Sequence, residues 1–406
     1  MAVGSGELPP LHAVAGFKIG IGSAGIKKPG RLDLVVMELA PNSSVAAVFT
    51  KNAFCAAPVQ LSKKNLQQRS PRYLLTNTGN ANAGTGEPGL ANALRTCDEL
   101  AALTKVDSAE VLPFSTGVIG EPLPVEKMVK ALPDALADLR EDNWLKAAQG
   151  IMTTDTRPKA ASMQIDLDGV RVTITGISKG AGMIKPNMAT MLGYVATDAA
   201  VDAKLLQTII ERAVNKSFNR ITIDGDTSTN DSCVLVATGA AKNSPINSEQ
   251  HPQFAKFYAA VEKIFIELAQ AIIRDGEGAT KFVTVDVQGG KTEAECLKVA
   301  YAVAESPLVK TALFASDPNW GRILAAIGRA GVENLDVSKI SVSINTILIA
   351  ENGGRSPNYT EQQGAAAMAP EEITIAIQLG RGSAATTVWT TDFSHDYVTI
   401  NAEYRT

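Results

Sequence analysis

A glycine-rich turn and a proline lead into Thr190, near the middle of this 406-residue chain. The preceding residue is Ala189, whose small side chain lets the Thr190 hydroxyl reach back to the carbonyl before it. Attack on that carbonyl would convert the Ala189–Thr190 peptide bond to an ester, and hydrolysis would leave Thr190 at the start of a second chain. Its free α-amino group, with a reference pKa of about 7.7 to 8.0, could then act as the base for its own hydroxyl. This segment could therefore carry both self-cleavage and nucleophilic catalysis.

An ordinary threonine at the end of a Gly/Pro loop is the simpler explanation of these local residues. The sparse histidines and cysteines nevertheless favour a nucleophile that activates itself, because none of them has the spacing of a metal site or a disulfide framework. These residues are His12, His251, His395, Cys55, Cys97, Cys233 and Cys296. We therefore expect no metal and no redox cofactor.

Three other polar loops could take part in chemistry, and each has an ordinary alternative. Residues 76–86 follow a predicted strand and could offer backbone N–H groups to an anion, or could be a tight connection. Thr116 and Gly117 follow the strand-like residues 111–113 and could stabilise an oxyanion with a hydroxyl and an N–H, although a simple turn is favoured. Residues 274–281 place charged groups in a Gly-rich turn at a helix C-terminus. That turn could be a solvated cap, or its carboxylates could receive a substrate ammonium.

Three further patterns are expected to be structural. Residues 20–25 match G-x-G-x-x-G, but residues 27–30, Lys-Lys-Pro-Gly, block the helix that a dinucleotide site needs. Residues 224–231 resemble half of a calcium loop, but Leu235 stands where the twelfth-position glutamate belongs, so we expect an Asx-type turn with hydrogen-bonding duties. His395 has acidic neighbours, but the members of a catalytic triad normally come from distant loops.

Composition excludes several classes of protein. The net charge is −4 with both signs interspersed and no basic block, so nucleic acid is not an expected partner. The hydrophobic share of 45% is typical of a globular chain, and no apolar run reaches the roughly 18 residues of a membrane span. The first residues lack the basic and apolar regions of a secretory signal. We expect a cytoplasmic protein.

Strand-like and helical patterns alternate along the whole chain. Predicted strands cover residues 32–39, 44–50, 72–76, 161–177 (a hairpin around Asp168 and Gly169), 192–197, 221–223, 233–237, 281–287, 340–344, 372–378 and 385–391. Predicted helices cover residues 90–105, 142–151, 205–215, 253–273, 291–303 and 320–329. This mixture, with many hairpin-like pairs and no regular βαβ series, predicts a layered α/β (α+β) architecture rich in antiparallel sheet.

Several motifs taken together are more specific than any one alone. In chain order they are residues 76–83, 115–120, 152–156, 179–183, 188–191, 224–231, 274–281, 316–322 and 400–406. This set strongly resembles the ornithine acetyltransferase family, also called the arginine biosynthesis bifunctional proteins, over essentially the whole chain.

The resemblance implies self-cleavage between Ala189 and Thr190. It would give an α chain of residues 1–189 and a β chain of residues 190–406, with residues from about 281 onward forming a second lobe. The implied fold is a layered sheet sandwich between helices, of the self-cleaving N-terminal-nucleophile type. The implied assembly is a heterotetramer of two α and two β chains.

The resemblance also assigns roles to single residues. Thr190 matches the nucleophile, and Thr116 and Gly117 match the oxyanion hole. The implied substrate-binding positions are Thr153, Lys179, Thr190, Glu277, Asn401 and Thr406. The family often ends in serine, so Thr406 departs from it but keeps a hydroxyl and the chain carboxylate.

The implied activity moves the acetyl group of N2-acetylornithine to glutamate through an acetyl-threonine intermediate, in cyclic arginine biosynthesis. Some members also acetylate glutamate with acetyl-CoA as a co-substrate, and the sequence leaves open whether this chain does. A related self-cleaving peptidase or amidohydrolase is the alternative, and water access to the acyl-enzyme would decide between them. A non-enzymatic binding protein is a third hypothesis, which predicts an intact chain.

Overall fold

The computed structural model describes residues 2–185 and 191–403. Ala189, Thr190 and Thr406, which the sequence predicts at the cleavage site and in the substrate site, lie outside the described residues. The strands are β1 Phe17–Gly22, β2 Leu34–Leu39, β3 Ser44–Phe49, β4 Tyr73–Asn80, β5 Val111–Val118, β6 Lys159–Leu167, β7 Val170–Lys179, β8 Leu192–Thr197, β9 Ile221–Thr222, β10 Ser232–Ala237, β11 Phe282–Gly290, β12 Ser341–Ile344, β13 Ile347–Glu351, β14 Gly354–Arg355, β15 Glu372–Gln378 and β16 Ala384–Thr391. The helices are α1 Ala57–Gln68, α2 Gly86–Thr104, α3 Val125–Ala137, α4 Trp144–Gly150, α5 Ala203–Lys216, α6 Phe254–Arg274, α7 Glu293–Ala304, α8 Pro307–Phe314, α9 Trp320–Gly328, α10 Glu361–Met368 and α11 His395–Ala402.

Most of the predicted elements are confirmed within a few residues. The predicted hairpin is formed by β6 and β7, and its turn residues Asp168 and Gly169 have φ angles of 53° and 81°, as a two-residue hairpin turn requires. Helix α2 begins at Gly86, before the predicted start at residue 90. The sequence does not predict β1, α1, α3, α8, β13, β14, α10 or α11.

The predicted turn at Thr116 and Gly117 is wrong, because both residues lie inside β5, which continues to Val118. Strand β4 likewise runs on to Asn80, well into the polar residues that follow its apolar start. The two strands pair in parallel along this extension. Ladder hydrogen bonds between the strands therefore override the local turn preference of the two Thr-Gly sequences, one in each strand.

Two sheets face each other across a shared hydrophobic core. The first sheet has the order β1-β2-β4-β5 and the second the order β3-β10-β8-β7-β6. Phe17, Met37 and Phe114 of the first sheet pack in this core with Ile177 and Tyr194 of the second. Helices α2 and α3 cover the outer face of the first sheet, and α5 and α6 cover the outer face of the second. The predicted sheet sandwich between helices is therefore confirmed.

A third sheet forms the remaining part of the described fold. Its order is β14-β13-β12-β15-β11-β16-β9. Helices α7, α8, α9 and α10 bury a hydrophobic core against it, built from residues between Val283 and Val388. Strand β9 comes from earlier in the chain and pairs in parallel with β16, which joins this sheet to the sandwich.

The end of the second sheet fixes where the segment around Thr190 begins and ends. Strands β7 and β8 are antiparallel, and Lys179 stands opposite Leu192 in their register. The chain between these two residues therefore connects neighbouring strands at one end of the sheet. The hydrogen-bond ladder of β7 and β8, whose paired residues are all buried, therefore sets the positions of Lys179 and Leu192.

Candidate active site

Six of the predicted site residues line one cavity of about 230 Å³. They come from separate parts of the chain and are Thr116, Gly117, Thr153, Lys179, Glu277 and Asn401. Met191 and Leu192, the residues that follow Thr190 in the sequence, also line this cavity. We call it the transfer cavity. Thr190 and Thr406 complete the predicted set but lie outside the described residues.

Gly117 lies where the parallel pair of β4 and β5 becomes irregular. It stands opposite Gly79, and the register shifts at the next residue, Asn80. The φ angle of Gly117 is +138°, and a Cβ there would lie 2.3 Å from the carbonyl carbon of Gly79. Only glycine fits this close approach of two backbones. The irregularity places Gly117 and the hydroxyl-bearing Thr116 together on the cavity wall.

Lys179 is the last residue of β7 and is buried, with 9% of its surface exposed. Its ammonium donates a hydrogen bond to Thr116 Oγ1 at 3.3 Å. Burial lowers the pKa of Lys179, while the carboxylate of Asp155 acts in the opposite direction. A cation bonded to this hydroxyl oxygen leaves the Thr116 O–H as a polarised donor for an anion in the cavity.

A buried ion network lies behind Lys179. Lys159 donates to Asp155 Oδ1 and to Asp275 Oδ2, at 2.6 Å in each case. Asp155 also accepts the backbone N–H of Gly180 at 2.7 Å and of Thr153 at 2.9 Å. Although burial acts to raise the pKa of Asp155, the cations Lys159 and Lys179 lower it overall. This carboxylate therefore stays ionised and fixes the backbone on both sides of the cavity.

Residues 274–281 do not form the solvated cap that was one interpretation of this turn. Glu277 is buried, and its Oε2 accepts a hydrogen bond from Asn401 Nδ2 at 2.8 Å. A Cβ on Gly182 would lie 2.2 Å from the same Oε2, so the carboxylate rests on the glycine-rich turn after β7. The transfer cavity is thus lined by both a carboxylate, that of Glu277, and an ammonium, that of Lys179.

The acidic turn at residues 224–231 and the first residue of β10 hold the chain on the two sides of the segment around Thr190. Asp224 Oδ2 accepts the N–H of Met183 at 2.5 Å, and its Oδ1 accepts the N–H of Ile184 at 2.8 Å. Beyond that segment, Ser232 N–H donates to the carbonyl of Met191 at 3.0 Å. The expected Asx-type geometry is present, because Asp224 Oδ1 also accepts the N–H of Asp226 at 3.2 Å. The turn therefore has the hydrogen-bonding role that the sequence predicts.

Asn230, near the end of the same turn, lines the transfer cavity and bridges the loop after β4 to strand β5. Its Nδ2 donates to the carbonyl of Ala81 at 2.5 Å and to that of Ser115 at 2.9 Å. Its Oδ1 accepts the Thr229 hydroxyl at 2.6 Å. Sequence reasoning did not single out Asn230, because an asparagine in an Asx-type turn is common and its distant partners leave no local signal.

The polar side chains at 76–86 make hydrogen bonds to one another and to neighbouring parts of the fold. Ser115 Oγ donates to Asn77 Oδ1 at 2.6 Å, and Asn77 Nδ2 donates to the carbonyl of Asn80 at 2.9 Å. Asn82 Nδ2 donates to the carbonyl of Gly89 at 2.9 Å, which holds the start of α2. Of the two interpretations of this loop, the tight connection accounts for these bonds.

Two other sequence patterns stand apart from the cavity. Gly20 lies within β1, where a Cβ would lie 1.9 Å from the carbonyl oxygen of Ala135 in α3, so this glycine permits close helix packing. His395 packs edge-on against the ring of Phe314, with ring centres 5.5 Å apart. Asp392 instead accepts hydrogen bonds from the backbone N–H groups of Thr280 and Lys281. These geometries are structural, as expected.

Within residues 2–185 and 191–403, no cluster of three or more His, Cys, Asp or Glu side chains is arranged to hold a metal ion. In the same part of the chain, none of the helices has both the length and the apolar character needed to cross a membrane.

Comparison with known proteins adds to this geometry. The model of the ArgJ family matches residues 18–406. Two relatives, each named arginine biosynthesis bifunctional protein ArgJ, come from Pseudomonas fluorescens (strain Pf0-1) and Pseudomonas syringae pv. tomato (strain ATCC BAA-871 / DC3000). Each is 66% identical over 406 residues, covering 100% of this chain and 100% of its own. The crystal structure of arginine biosynthesis bifunctional protein argJ from Bacillus halodurans is 40% identical with a TM-score of 0.51, over 52% of this chain and 99% of that chain.

Proposed function

The chain belongs to the ArgJ family, the bifunctional enzymes of arginine biosynthesis, and on this premise we propose that its acetyl transfer proceeds through Thr190. The enzyme is an acetyltransferase that moves the acetyl group of N2-acetylornithine to glutamate. Family membership does not favour the alternative, a self-cleaving peptidase. The proposed mechanism rests on one observation. A single cavity at the start of β8 is lined by Thr116, Gly117, Lys179 and Glu277.

Self-cleavage between Ala189 and Thr190 is the first step of the proposal. It would produce an α chain of residues 1–189 and a β chain of residues 190–406. The antiparallel register of β7 and β8 supports it, because both ends of the intervening chain are held at the cavity. The crystal structure of the Bacillus halodurans relative gives further support. It matches 52% of this chain, and this match accounts for 99% of the relative's chain. The relative's chain is therefore about half as long as this one.

In the first half-reaction, the α-amino group of Thr190 takes the proton of its own hydroxyl, and the hydroxyl oxygen attacks the acetyl carbonyl. Negative charge then develops on the carbonyl oxygen. Thr116 O–H and Gly117 N–H are the proposed donors to it, and the Lys179 ammonium on Thr116 Oγ1 strengthens the first of them. Ornithine leaves with the proton, and the acetyl group remains as an ester on Thr190.

Substrate recognition is proposed to use the two opposite charges of the transfer cavity. The ammonium of the ornithine side chain would pair with Glu277, which Asn401 orients through its 2.8 Å hydrogen bond. A substrate carboxylate would pair with Lys179, and Thr153 would line the site beside it. Both charges are buried, so each pairing gains strength from the low local dielectric.

In the second half-reaction, the amino group of glutamate attacks the acetyl ester, the bond between the acetyl carbon and the Thr190 oxygen breaks, and a proton of the amine returns to that oxygen. The product is N-acetylglutamate, and the Thr190 hydroxyl is restored. Two half-reactions at one site predict ping-pong kinetics. The proposal requires no metal or redox cofactor, and acetyl-CoA would enter as an alternative acetyl donor. We also propose that the enzyme is a cytoplasmic heterotetramer of two α and two β chains.

The proposal is tested by the intact mass of the denatured protein, combined with N-terminal sequencing. We expect two chains, the second beginning with Thr190, Met191 and Leu192. Incubation with N-acetylornithine but no glutamate should then add one acetyl group to the second chain only. The variant Thr190→Ala should stay intact and unacetylated, whereas Thr190→Ser, which keeps a hydroxyl, should retain some cleavage. A single uncleaved chain in fully active protein would overturn the mechanism.

A further inference from the structure

Asp231 is a buried carboxylate of the transfer cavity to which the proposed mechanism gives no role. It lines the cavity with 3% of its surface exposed. Among the described residues that line this cavity, the other charged side chains are those of Lys179 and Glu277. The cavity thus carries two carboxylates and one ammonium, and an uncompensated buried charge is costly. Self-cleavage would create a further group able to carry positive charge, the α-amino group of Thr190.

The register of β8 and β10 places Asp231 next to the start of the second chain. These strands pair in parallel, and Ser232, the first residue of β10, stands opposite Leu192. The Ser232 N–H donates to the carbonyl of Met191 at 3.0 Å, and Asp231 directly precedes Ser232. A single peptide bond joins Met191 to Thr190, and successive Cα atoms are only about 3.8 Å apart. The new amine would therefore form close to this carboxylate.

The backbone around Asp231 is fixed by hydrogen bonds to other parts of the fold. The Asp231 carbonyl accepts the N–H of Thr50, the residue after β3, at 3.0 Å. The preceding residue, Asn230, donates to the carbonyls of Ala81 and Ser115. A carboxylate on such a backbone presents its charge at a defined place. Electrostatic catalysis requires this, because the group then needs no reorganisation during the reaction.

The charge of Asp231 acts on the reactive part of the cavity. Burial lowers the pKa of Lys179, and the carboxylates of Asp155, Asp231 and Glu277 act to raise it. Lys179 in turn donates to Thr116 Oγ1, one of the proposed oxyanion donors, at 3.3 Å. A cation that forms in this cavity during the reaction is therefore within range of the same carboxylate.

We propose that the Asp231 carboxylate is the counter-charge of the Thr190 α-amino group, which it orients toward the Thr190 hydroxyl and stabilises as the ammonium formed by proton transfer. In the Ser-His-Asp arrangement, a carboxylate likewise orients the base and stabilises its protonated form. Here the amine takes the place of the imidazole, so the site needs no histidine. This inference rests on the proposed function, because it assigns a partner to the same nucleophile.

Protons and charge balance in this step. The hydroxyl proton passes to the Thr190 amine as the Thr190 oxygen bonds to the acetyl carbon. The ammonium then gives this proton to the departing nitrogen of ornithine as the carbon–nitrogen bond breaks. Asp231 stays ionised throughout and neither accepts nor donates the proton. Its role is confined to positioning and stabilising a cation.

Other charged groups around the cavity also influence proton transfer in it. Lys179 and Glu277 line it, and Asp155 and Lys159 lie behind Lys179. An adjoining cavity beyond a shared wall is lined by four more charged residues, Lys27, Lys28, Arg31 and Glu403. None of these residues is substituted in the test, so a change in pH dependence reports on Asp231.

The test is the pH dependence of the first half-reaction. Self-cleaved full-length protein is mixed with N-acetylornithine but no glutamate, and the mass of the second chain follows its acetylation over time. The amine must be unprotonated to act as a base, whereas a neighbouring carboxylate favours its protonated form. In Asp231→Asn the acidic side of the pH–rate profile should therefore move to lower pH by about one pH unit. The plateau rate should fall roughly tenfold to a hundredfold, because the ammonium loses its partner.

Two further variants separate the charge from the structure. Asp231→Glu keeps the charge, so the acidic side of its profile should stay at the wild-type position. Its plateau rate should lie above that of Asp231→Asn. Asp226→Asn removes an exposed carboxylate from the same acidic turn and should reproduce the wild-type profile. All three variants should self-cleave, because the amine that Asp231 serves exists only after cleavage.

Three results would overturn the inference. An Asp231→Asn profile that is lowered at every pH without being displaced would indicate a structural role. A raised KM for N-acetylornithine with an undisplaced profile would assign Asp231 to the substrate ammonium. Failure of Asp231→Asn to self-cleave would assign the carboxylate to maturation. Absence of acetylation in the wild-type protein would instead refute the proposed function itself.

Discussion

Lys179 and Glu277 give the transfer cavity two opposite buried charges. An isolated buried charge costs several kcal/mol of stability, so each needs compensation within the fold. For Lys179 it comes from Asp155, which is itself held by Lys159. The cavity thus presents the Glu277 carboxylate to a cationic group and the Lys179 ammonium to an anionic group. This pairing is a physical basis for one site accepting both ornithine and glutamate.

A second buried lysine lies away from the cavity, in helix α8. Lys310 is fully buried, and its ammonium donates to Thr390 Oγ1 at 2.9 Å and to the carbonyl of Thr391. It also lies 4.6 Å from the centre of the Phe393 ring. Burial lowers the pKa of Lys310 to about 7, although the nearby carboxylate of Asp392 acts to raise it.

Lys310 should therefore make stability depend on pH above neutrality. Its folded pKa of about 7 lies below the value of about 10.4 for an unfolded lysine, so the unfolded state binds more protons between these limits. Stability consequently rises with pH in this window. We expect the free energy of unfolding of the wild type to gain about 2 kcal/mol relative to Lys310→Met between pH 7 and pH 9. Urea unfolding at several pH values measures this difference.

The matched control is Lys298→Met, which removes an exposed lysine from the neighbouring helix α7. Its free energy of unfolding should follow that of the wild type at every pH. If the free energies of unfolding of the wild type and Lys310→Met change in parallel with pH, the buried ammonium does not titrate in this range.

Among the elements, the acidic turn at residues 224–231 and the start of β10 together hold the two flanks of the proposed cleavage segment. Asp224 holds Met183 and Ile184 on one side, and Ser232 holds Met191 on the other. A peptide bond rearranges faster when its flanks are held near the reactive geometry, because less conformational freedom is lost in the transition state. This turn is of a common type, and it positions the neighbouring segment in which cleavage is proposed.

Self-cleavage should therefore slow in the variant Asp224→Asn. Asparagine keeps one acceptor oxygen, so one of the two N–H groups of Met183 and Ile184 loses its partner. Loss of one charge-assisted hydrogen bond predicts a roughly tenfold slower cleavage. The appearance of the chain that begins at Thr190, followed over time by denaturing electrophoresis, measures the rate.

The neighbouring exposed carboxylate provides the control for this prediction. Asp226→Asn makes the same chemical change in the same turn and should cleave at the wild-type rate. Equal slowing in both variants would point to a general loosening of the turn, and unchanged cleavage in Asp224→Asn would remove these contacts from the mechanism.

At the scale of the whole molecule, the second sheet interleaves strands from both sides of the proposed cleavage site. Its order, β3-β10-β8-β7-β6, places β10 and β8 of the later half between β3 and β7 of the earlier half. Both junctions are full ladders of six paired residues. The cores on the two faces of this sheet also contain side chains from both halves.

The two chains produced by cleavage should consequently remain in one particle. We expect them to elute together in size-exclusion chromatography under native conditions and to separate only in denaturant, because separation would expose the centre of a sheet and two cores. Fragments that separate in native buffer would contradict the interleaved topology. Uncleaved Thr190→Ala protein, which should elute at the same volume as the cleaved wild type, is the control.

Local patterns in the sequence were enough to predict many of the elements. The hairpin at Asp168 and Gly169, strand β2 and helix α6 follow from residue periodicity and turn chemistry, which act between neighbours in the chain. The sequence does not predict α8, α10 and α11 because each has only eight residues, too few for a helical period to be recognised. The local residues predict a turn at Thr116 and Gly117, because the pairing of β5 with β4 leaves no signal in them.

The sequence by itself determined that Thr190 follows a small residue at the end of a glycine-rich turn. Its resemblance to a family also named the residues that the fold brings into the transfer cavity. Only the tertiary structure decided that Asp155, Lys159 and Asp275 form one buried network behind Lys179, and that Lys27 lies against Gly79. The physical reason is the distance along the chain over which each interaction acts. Periodicity and turn preferences reflect interactions between near neighbours in the sequence. Ion pairs and close backbone contacts join residues far apart in the sequence, and local residues give no sign of which partners will meet.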